Sequence, residues 1–336
     1  MSSITPPNQK QEDRSLDQAL RPKKWNEYIG QEAVKKNLKI LIQAALERNE
    51  PVEHLLFYGP PGTGKTSLAL LIAKEMNSQI KTTSGPAIEK IGDLAAILTN
   101  LSAKDILFID EAHRLNKLIE EILYPAMESR NLDIIIGKGP SARTFQLQLP
   151  PFTLIAATTR ASLLSGPLRS RFSGGTFRLE FYSLEEISQI LANSSKILGI
   201  EAEAAALEEI AKRSRFTPRV ANRLLKRCRD YAQVHQQKIN QETALAALKL
   251  LEIDELGLEK TDRTILSAII AKFNGGPVGI QTLAAAVAED EQTIEELYEP
   301  YLMRLGFLER TQRGRLTTQL AYKHLGLKKP SQSPLI

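Results

Sequence analysis

Between residue 21 and about residue 182, short and nearly continuous apolar runs alternate with stretches whose apolar residues recur every three or four positions. The runs at 54–58, 79–83, 105–110, 152–158 and 176–181 have the length and the flanking turn formers of β-strands. Ile106-Leu107-Phe108-Ile109 shows no polar alternation, which predicts a strand buried on both faces of a parallel sheet. Strands that alternate with helices imply right-handed crossovers and a doubly wound α/β fold. At Ser183 the pattern changes. Ser183-Leu184-Glu185-Glu186 is a capping-box sequence, and helical periodicity runs from there to about residue 253. Breaks near Gly199, Thr217-Pro218 and Asn240 predict a small all-helical domain. Beyond it, helices are expected at 262–273, 281–288 and 292–305, with a turn at Gly275-Gly276-Pro277. Extended segments at 306–310 and 316–318 flank a turn at Gln312-Arg313-Gly314. Three helices followed by a hairpin predict a winged helix-turn-helix. The expected organisation is therefore a tail at 1–20, an α/β domain at 21–182, a helical domain at 183–254 and a winged-helix domain at 255–336.

Composition narrows the setting. The first residues are polar and rich in Gln, Pro and Ser, which predicts a disordered tail without the apolar core of a secretory signal, hence a cytoplasmic protein. No apolar run approaches the roughly 18 residues that span a bilayer, so no membrane role is expected. The net charge of 44 − 39 = +5 permits a polyanionic partner without demanding one. Cys228 is the sole cysteine, which excludes an intramolecular disulfide and a multi-cysteine zinc site. Its neighbours Lys226, Arg227 and Arg229 could lower its pKa, but it reads as an ordinary helix residue. The four histidines are scattered, and neither they nor the acids form a metal-ligand set or a nuclease cluster.

One segment carries specific chemistry. Gly59-Pro60-Pro61-Gly62-Thr63-Gly64-Lys65-Thr66 fits the phosphate-binding pattern G-x-x-x-x-G-K-[ST], with an apolar strand before it and an amphipathic helix from Ser67 after it. Its glycines let backbone N–H groups converge on a phosphate, and the helix N-terminus adds positive potential. Lys65 is expected to reach the β- and γ-phosphates, and the Thr66 hydroxyl to hold Mg²⁺. Leu107-Phe108-Ile109 ends in Asp110-Glu111, two carboxylates at the tip of a strand. Asp110 can complete the metal shell, and Glu111 can polarise the attacking water. The strand at 152–158 ends in Thr158, a polar group able to meet the γ-phosphate or the water. Arg169 and Arg171 follow in a loop. Two arginines so spaced are either solvated or, in a ring, able to enter a neighbour's site. Arg219 opens a helix that shares a basic face with Arg223 and Lys226.

Taken in this order, these pieces resemble the RuvB family of AAA+ ATPases from Arg21-Pro22 to Gly326. Further blocks carry the likeness: Tyr28-Ile29-Gly30-Gln31, residues 81–86, 92–96, 107–115 and 123–128, Pro150-Pro151-Phe152, Thr217-Pro218-Arg219 and residues 275–279. The resemblance implies ATP and ADP as ligands. Lys65, Thr66, Asp110 and Glu111 form the catalytic core, Thr158 is the first sensor and Arg219 the second, and Arg171 rather than Arg169 is the arginine finger acting in trans. It further implies that Leu20, Arg21, Tyr28 and Ile29 lie on the adenine side. Gly62, Thr63, Gly64 and Ser67 complete the phosphate loop, and Glu128, Ser129, Arg130 and Tyr182 line the pocket. Family members form hexamers on duplex DNA at Holliday junctions, recruited by a RuvA tetramer and working beside the nuclease RuvC.

Two regions outside the ATPase core add to this expectation. Residues 131–149 read as a hairpin inserted between a helix and a core strand, either completing the sheet or, as the resemblance implies, docking on RuvA. In the winged-helix region the third helix is acidic, with Glu289, Asp290, Glu291, Glu295, Glu296 and Glu299. Beyond it, Arg304, Arg310, Arg313, Arg315 and Lys323 are opposed only by Glu309. An acidic helix is repelled from a major groove, so the wing is expected to touch DNA. Arg310 and Arg315 match the family's DNA-contacting arginines, while Gln292 stands where relatives often carry arginine. Phosphate contact without base readout suits a motor that moves along any sequence. Two other classes compete: a clamp-loader-like switch, which would end in a helical collar, and a DNA-binding regulator with a decayed nucleotide site. The winged helix opposes the first, and the intact Lys65, Asp110 and Glu111 oppose the second.

Overall fold

A computed structural model of the chain describes residues 18–136 and 143–328. The chain divides between Tyr182 and Ser183 into two compact units. Residues 1–17, where most of the expected tail falls, residues 137–142 of the expected hairpin segment, and residues 329–336 lie outside the described residues.

The first unit is a three-layer α/β structure. Strands β1 (Leu55–Tyr58), β2 (Ile80–Ser84), β3 (Ile106–Asp110), β6 (Thr153–Thr158) and β7 (Gly175–Arg178) form a sheet of order β2-β3-β6-β1-β7, and every pairing in it is parallel. The side-chain period of two splits each apolar run between two cores. Leu56, Leu107, Ile109, Leu154 and Ala156 enter one core, with Leu94 and Leu98 of α3 (Ile91–Thr99) and Ile119 and Leu123 of α4 (Lys117–Glu128). Leu55, Phe57, Ile106, Phe108, Ile155 and Ala157 enter the other, with Leu38 and Ile42 of α1 (Glu32–Arg48) and Leu68 and Ile72 of α2 (Lys65–Glu75). Both faces of the sheet are thus covered, which is why the runs lack polar alternation.

The segment at 131–149 does not complete this sheet. Strands β4 (Asn131–Ile136) and β5 (Arg143–Gln148) pair only with each other, antiparallel, from Asn131↔Gln148 to Ile136↔Arg143. Leu132 is buried at the base, whereas Phe145 and Leu147 are exposed.

The second unit begins with four helices: α6 (Leu184–Ile197), α7 (Ala204–Lys212), α8 (Pro218–Val234) and α9 (Gln241–Leu250). They follow the short α5 (Gly166–Ser170) of the first unit. The capping box forms, with the Ser183 N–H donating to Glu186 Oε2 at 2.7 Å and the Glu186 N–H to Ser183 Oγ at 3.1 Å. Cys228 is fully buried on α8, and burial pushes its thiol up to about 12 despite the basic neighbours, so it is an inert core residue.

A winged helix follows: α10 (Lys260–Phe273), α11 (Ile280–Val287), and a third helix made of α12 (Glu291–Thr293), a π-helical turn at Ile294–Tyr298 and α13 (Glu299–Arg304). The wing is β8 (Leu308–Thr311) paired with β9 (Gly314–Thr317), and Val278 adds a third, one-residue rung against Arg315. Gly314 is therefore strand rather than turn, and a helix not read from the sequence, α14 (Gln319–His324), closes the domain.

The four-helix part and the winged helix share a buried ionic junction. Arg215, at φ +54° just before α8, is 5% exposed. It pairs with fully buried Asp262, donates from Nε to Gly257 O at 3.2 Å, and lies 5.5 Å over the Tyr301 ring. Phe216 and Arg304 extend the contact, with the guanidinium 4.8 Å over the ring. Removing one partner of such a pair leaves a buried charge uncompensated. Asp262→Ala is therefore expected to destabilise this unit by about 3–5 kcal/mol in urea melts, with little change in the melting of the first unit. Stability within about 1 kcal/mol of the parent would show that the pair is not structurally important.

Candidate functional site

The phosphate loop connects β1 to α2 and folds around its own lysine. Lys65 is 8% exposed, and its Nζ donates to the carbonyls of Gly59 and Pro60, both at 2.8 Å. Gly62 and Gly64 hold φ values of +78° and +97°, the left-handed region that turns successive N–H groups inward. The Thr63 hydroxyl donates to Pro60 O at 2.8 Å and closes the loop. Ser67 continues the first turn of α2, half-buried.

The loop is backed by two tyrosines. Tyr182 Oη donates to Thr63 O at 3.1 Å and to Tyr28 Oη at 3.3 Å, and Tyr28 Oη lies 3.4 Å from Thr63 O. Burial, with Tyr182 beside it, raises the Tyr28 phenol well above its usual pKa, so it remains a neutral donor. Any Cβ on Gly64 would strike the Tyr28 hydroxyl. The segment with Tyr28 and Ile29 is fastened through Gln31 by two hydrogen bonds: Gln31 Nε2 donates to Glu180 O at 2.8 Å, and the Glu180 N–H donates to Gln31 Oε1 at 3.1 Å. Leu20 and Arg21 sit half-buried in the turn that leads into this segment.

Three adjacent strands end beside the loop. Since β6 lies between β3 and β1, the tips of β3 and β6 and the loop after β1 fall side by side, with Tyr58 level with Thr158. Thr66 Oγ1 is 3.3 Å from Asp110 Oδ2, across 44 residues of sequence. Two hard oxygen donors, one a carboxylate, suit Mg²⁺, which keeps waters and takes the rest of its shell from phosphates. Among the described residues no group of three or more His, Cys, Asp and Glu could hold a metal by itself. Glu111, at φ +49°, is exposed and pairs with Arg114 at 3.2 Å. Thr158 is 1% exposed, and its Oγ1 accepts the Arg160 N–H at 2.9 Å and meets His113 Nδ1 at 3.0 Å. Sequence reading gave no role to His113 or Arg114. The signal lay in their place, directly after an acid pair at a strand tip.

Other expected residues are placed elsewhere. Met127 O lies 3.2 Å from His54 Nε2, and the Gly174 N–H donates to His54 O, so Glu128, Ser129 and Arg130 sit where the strands begin. The phosphate loop sits where they end, about 13 Å away along a four-residue strand. These three residues thus lie toward the strand ends away from the phosphate loop of the same chain. Arg171 joins them: its Nη2 pairs with Glu128 at 3.1 Å, its Nη1 donates to Pro167 O at 2.7 Å, and its guanidinium lies 4.5 Å over Tyr124. Arg169 is exposed. Arg219, on the first turn of α8, belongs to the second unit and is also exposed.

Two carboxylates of the acidic third helix turn to the wing. Arg315 is 6% exposed and is held by Glu299 at 2.6 Å and Glu295 at 2.7 Å. Its guanidinium is thus committed to carboxylates rather than presented to solvent. Burial lowers its affinity for a proton, but the two glutamates outweigh this and raise its pKa. Arg310, directly across the hairpin, is half exposed and reaches Glu295 at 3.2 Å. Gln292 donates to Glu296 at 2.8 Å.

Three family descriptions match consecutive stretches of the chain: Holliday junction DNA helicase RuvB P-loop domain over residues 20–179, RuvB AAA lid domain over 182–254, and RuvB C-terminal winged helix domain over 255–326. The chain belongs to the RuvB family. It is an AAA+ P-loop ATPase, with the parallel sheet, helical lid and winged helix of that family. Solved structures agree. Thermotoga maritima RuvB, described as a Holliday junction branch migration motor, is 48% identical, covering 93% of this chain and 100% of that one with a TM-score of 0.86. A single-residue variant of the same protein is 47% identical over 93% of this chain and 99% of that one, with a TM-score of 0.84. Among the described residues no helix is long and apolar enough to cross a membrane.

Proposed function

We propose that this chain is an ATP-driven DNA motor that forms hexameric rings on duplex DNA and pulls it to drive Holliday junction branch migration. The observation that carries the reading is the contact of Thr66 with Asp110, with the tip of the Thr158 strand alongside, beside a complete phosphate loop in a chain that also matches a RuvB winged helix. In this reading Lys65 moves its ammonium from the Gly59 and Pro60 carbonyls to the β- and γ-phosphates. Thr66 and Asp110 would hold Mg²⁺, which would supply positive charge against the phosphates. Glu111 leaves Arg114 to orient the attacking water, and Thr158 reads the γ-phosphate. Tyr28 and Ile29, with Leu20 and Arg21, meet the adenine side, Tyr182 supports the loop from behind, and Arg219 reaches the nucleotide from the lid.

The remoteness of Glu128, Ser129, Arg130 and Arg171 from the phosphate loop of their own chain favours a head-to-tail ring, in which they complete the site of the next subunit. Arg171 would then exchange Glu128 for the γ-phosphate of its neighbour. The wing grips phosphates without reading bases, with Arg310 as the exposed contact, while Arg315 contributes when phosphate displaces its glutamates. The hairpin at 131–149, with exposed Phe145 and Leu147, is the docking element for a RuvA tetramer, and RuvC cleaves the junction in the same complex. The protein works in the cytoplasm.

Dissociation of a synthetic four-way junction with ATP, Mg²⁺ and RuvA tests the function. The parent is expected to dissociate it. Glu111→Gln should bind ATP but lose at least about 100-fold in turnover, and dissociation should stop with it. Turnover at the parental rate would remove Glu111 from the mechanism. Arg171→Ala should bind ATP and hydrolyse almost none, and mixing it with Lys65→Ala subunits should restore part of the rate. If native mass spectrometry shows mixed rings that remain inactive, the trans role fails. For the wing, Arg310→Ala should weaken binding to every DNA sequence and reduce the slope of log K against log salt by about 1. An unchanged slope would take Arg310 off the phosphate.

A further inference from the structure

We propose that His113 is a positioning residue for ATP hydrolysis, holding the Thr158 hydroxyl so that its proton points to the γ-phosphate. The proposal rests on the reading of Thr158 as the polar group that meets this phosphate. A threonine hydroxyl has one proton and two acceptor positions. One position takes the Arg160 N–H at 2.9 Å. His113 Nδ1, at 3.0 Å, occupies a second direction around the same oxygen. With the imidazole proton on Nδ1, His113 fills the second acceptor position, and the hydroxyl proton is left for the nucleotide. Without His113 only the Arg160 N–H still orients the oxygen, and the hydroxyl proton is free to turn into the position His113 held.

The backbone is built to deliver this side chain. Glu111 takes φ +49°, which reverses the chain directly after β3. Residues Ala112–Arg114 then form one tight turn, closed by the Arg114 N–H to Glu111 O at 2.9 Å and the Leu115 N–H to Ala112 O at 3.1 Å. The turn packs closely on Gly85, where any Cβ would run into the Glu111 carbonyl. It therefore carries His113 to the tip of β6 and Arg114 to Glu111, touching two groups that would face the reacting phosphate. Fixing a donor before the transition state forms favours the chemical step over binding.

The test is steady-state hydrolysis by the full chain with Mg²⁺ and duplex DNA, comparing His113→Leu, His113→Asn, His113→Gln and Thr158→Val. Asparagine carries a nitrogen bonded to Cγ, as Nδ1 is, whereas glutamine carries it one bond further out. His113→Leu is expected to lower kcat about tenfold while KM for ATP changes less than about twofold. His113→Asn should stay within about threefold of the parent, and His113→Gln should resemble leucine. In the Thr158→Val background, His113→Leu should add less than about twofold, because both changes remove the same donor. The inference is overturned if asparagine is as slow as leucine, or if the leucine and valine effects multiply. Should Thr158→Val be slow while His113→Leu runs at the parental rate, only the role of His113 fails. A parental rate for Thr158→Val would sink the reading of Thr158 and this inference with it. If His113→Leu does not fold, as judged by its melting curve, the contrast between asparagine and glutamine decides.

Discussion

The nucleotide-binding unit depends on the parallel hydrogen bonding of β6 between β1 and β3. That ladder brings the end of β3 and the end of β6 level with the loop that leaves β1. Asp110, Thr158 and Thr66 come from positions far apart in the chain, yet the strand spacing of about 4.8 Å sets the ends of their strands side by side. A one-residue slip of β6 would turn Ile155 and Ala157 to the opposite core and swing Thr158 away from the site. The two apolar cores that lock the register therefore also aim the chemistry.

Around this ladder, the polar groups of the proposed site are held in local pairs. Lys65 rests on two carbonyls, Glu111 on Arg114, and Arg171 on Glu128. The last two pairs are substantially solvent-exposed on at least one side, so they are weak and exchangeable rather than stabilising. The buried pairs behave differently. Arg215 with Asp262, and Arg315 with Glu299, are removed from water and fix one part of the second unit against another. A charge buried with its partner sets geometry, because either member alone would be strongly destabilising. Arg315 thus ties the wing to its third helix, with Arg310 outside it.

Much of the architecture was legible in the residues. Unbroken apolar runs announced a sheet covered on both faces, and the capping box at Ser183 marked the start of the helical part. Gly59 to Thr66, between a strand and a helix, announced a phosphate loop, and the Asp110-Glu111 pair gained meaning from it. These signals are local, written in periodicity and turn chemistry, and they survive folding unchanged. The hairpin at 131–149 was also visible as alternation, but whether it joined the main sheet was not, because two edge strands and a separate ribbon share one pattern.

The sequence by itself determined which elements form and which residue types could bind a phosphate, since both follow from short-range sterics and hydrogen bonding. Only the tertiary structure decided who meets whom. It turned Glu295 and Glu299 inward to hold Arg315, where the bare count of charges suggested repulsion from DNA. It set Glu128 and Arg171 at the opposite end of the strands from the phosphate loop, and it carried His113 to Thr158. Each of these is a contact between segments distant in sequence, fixed by strand order and by the packing of two cores. No local pattern encodes such a distance.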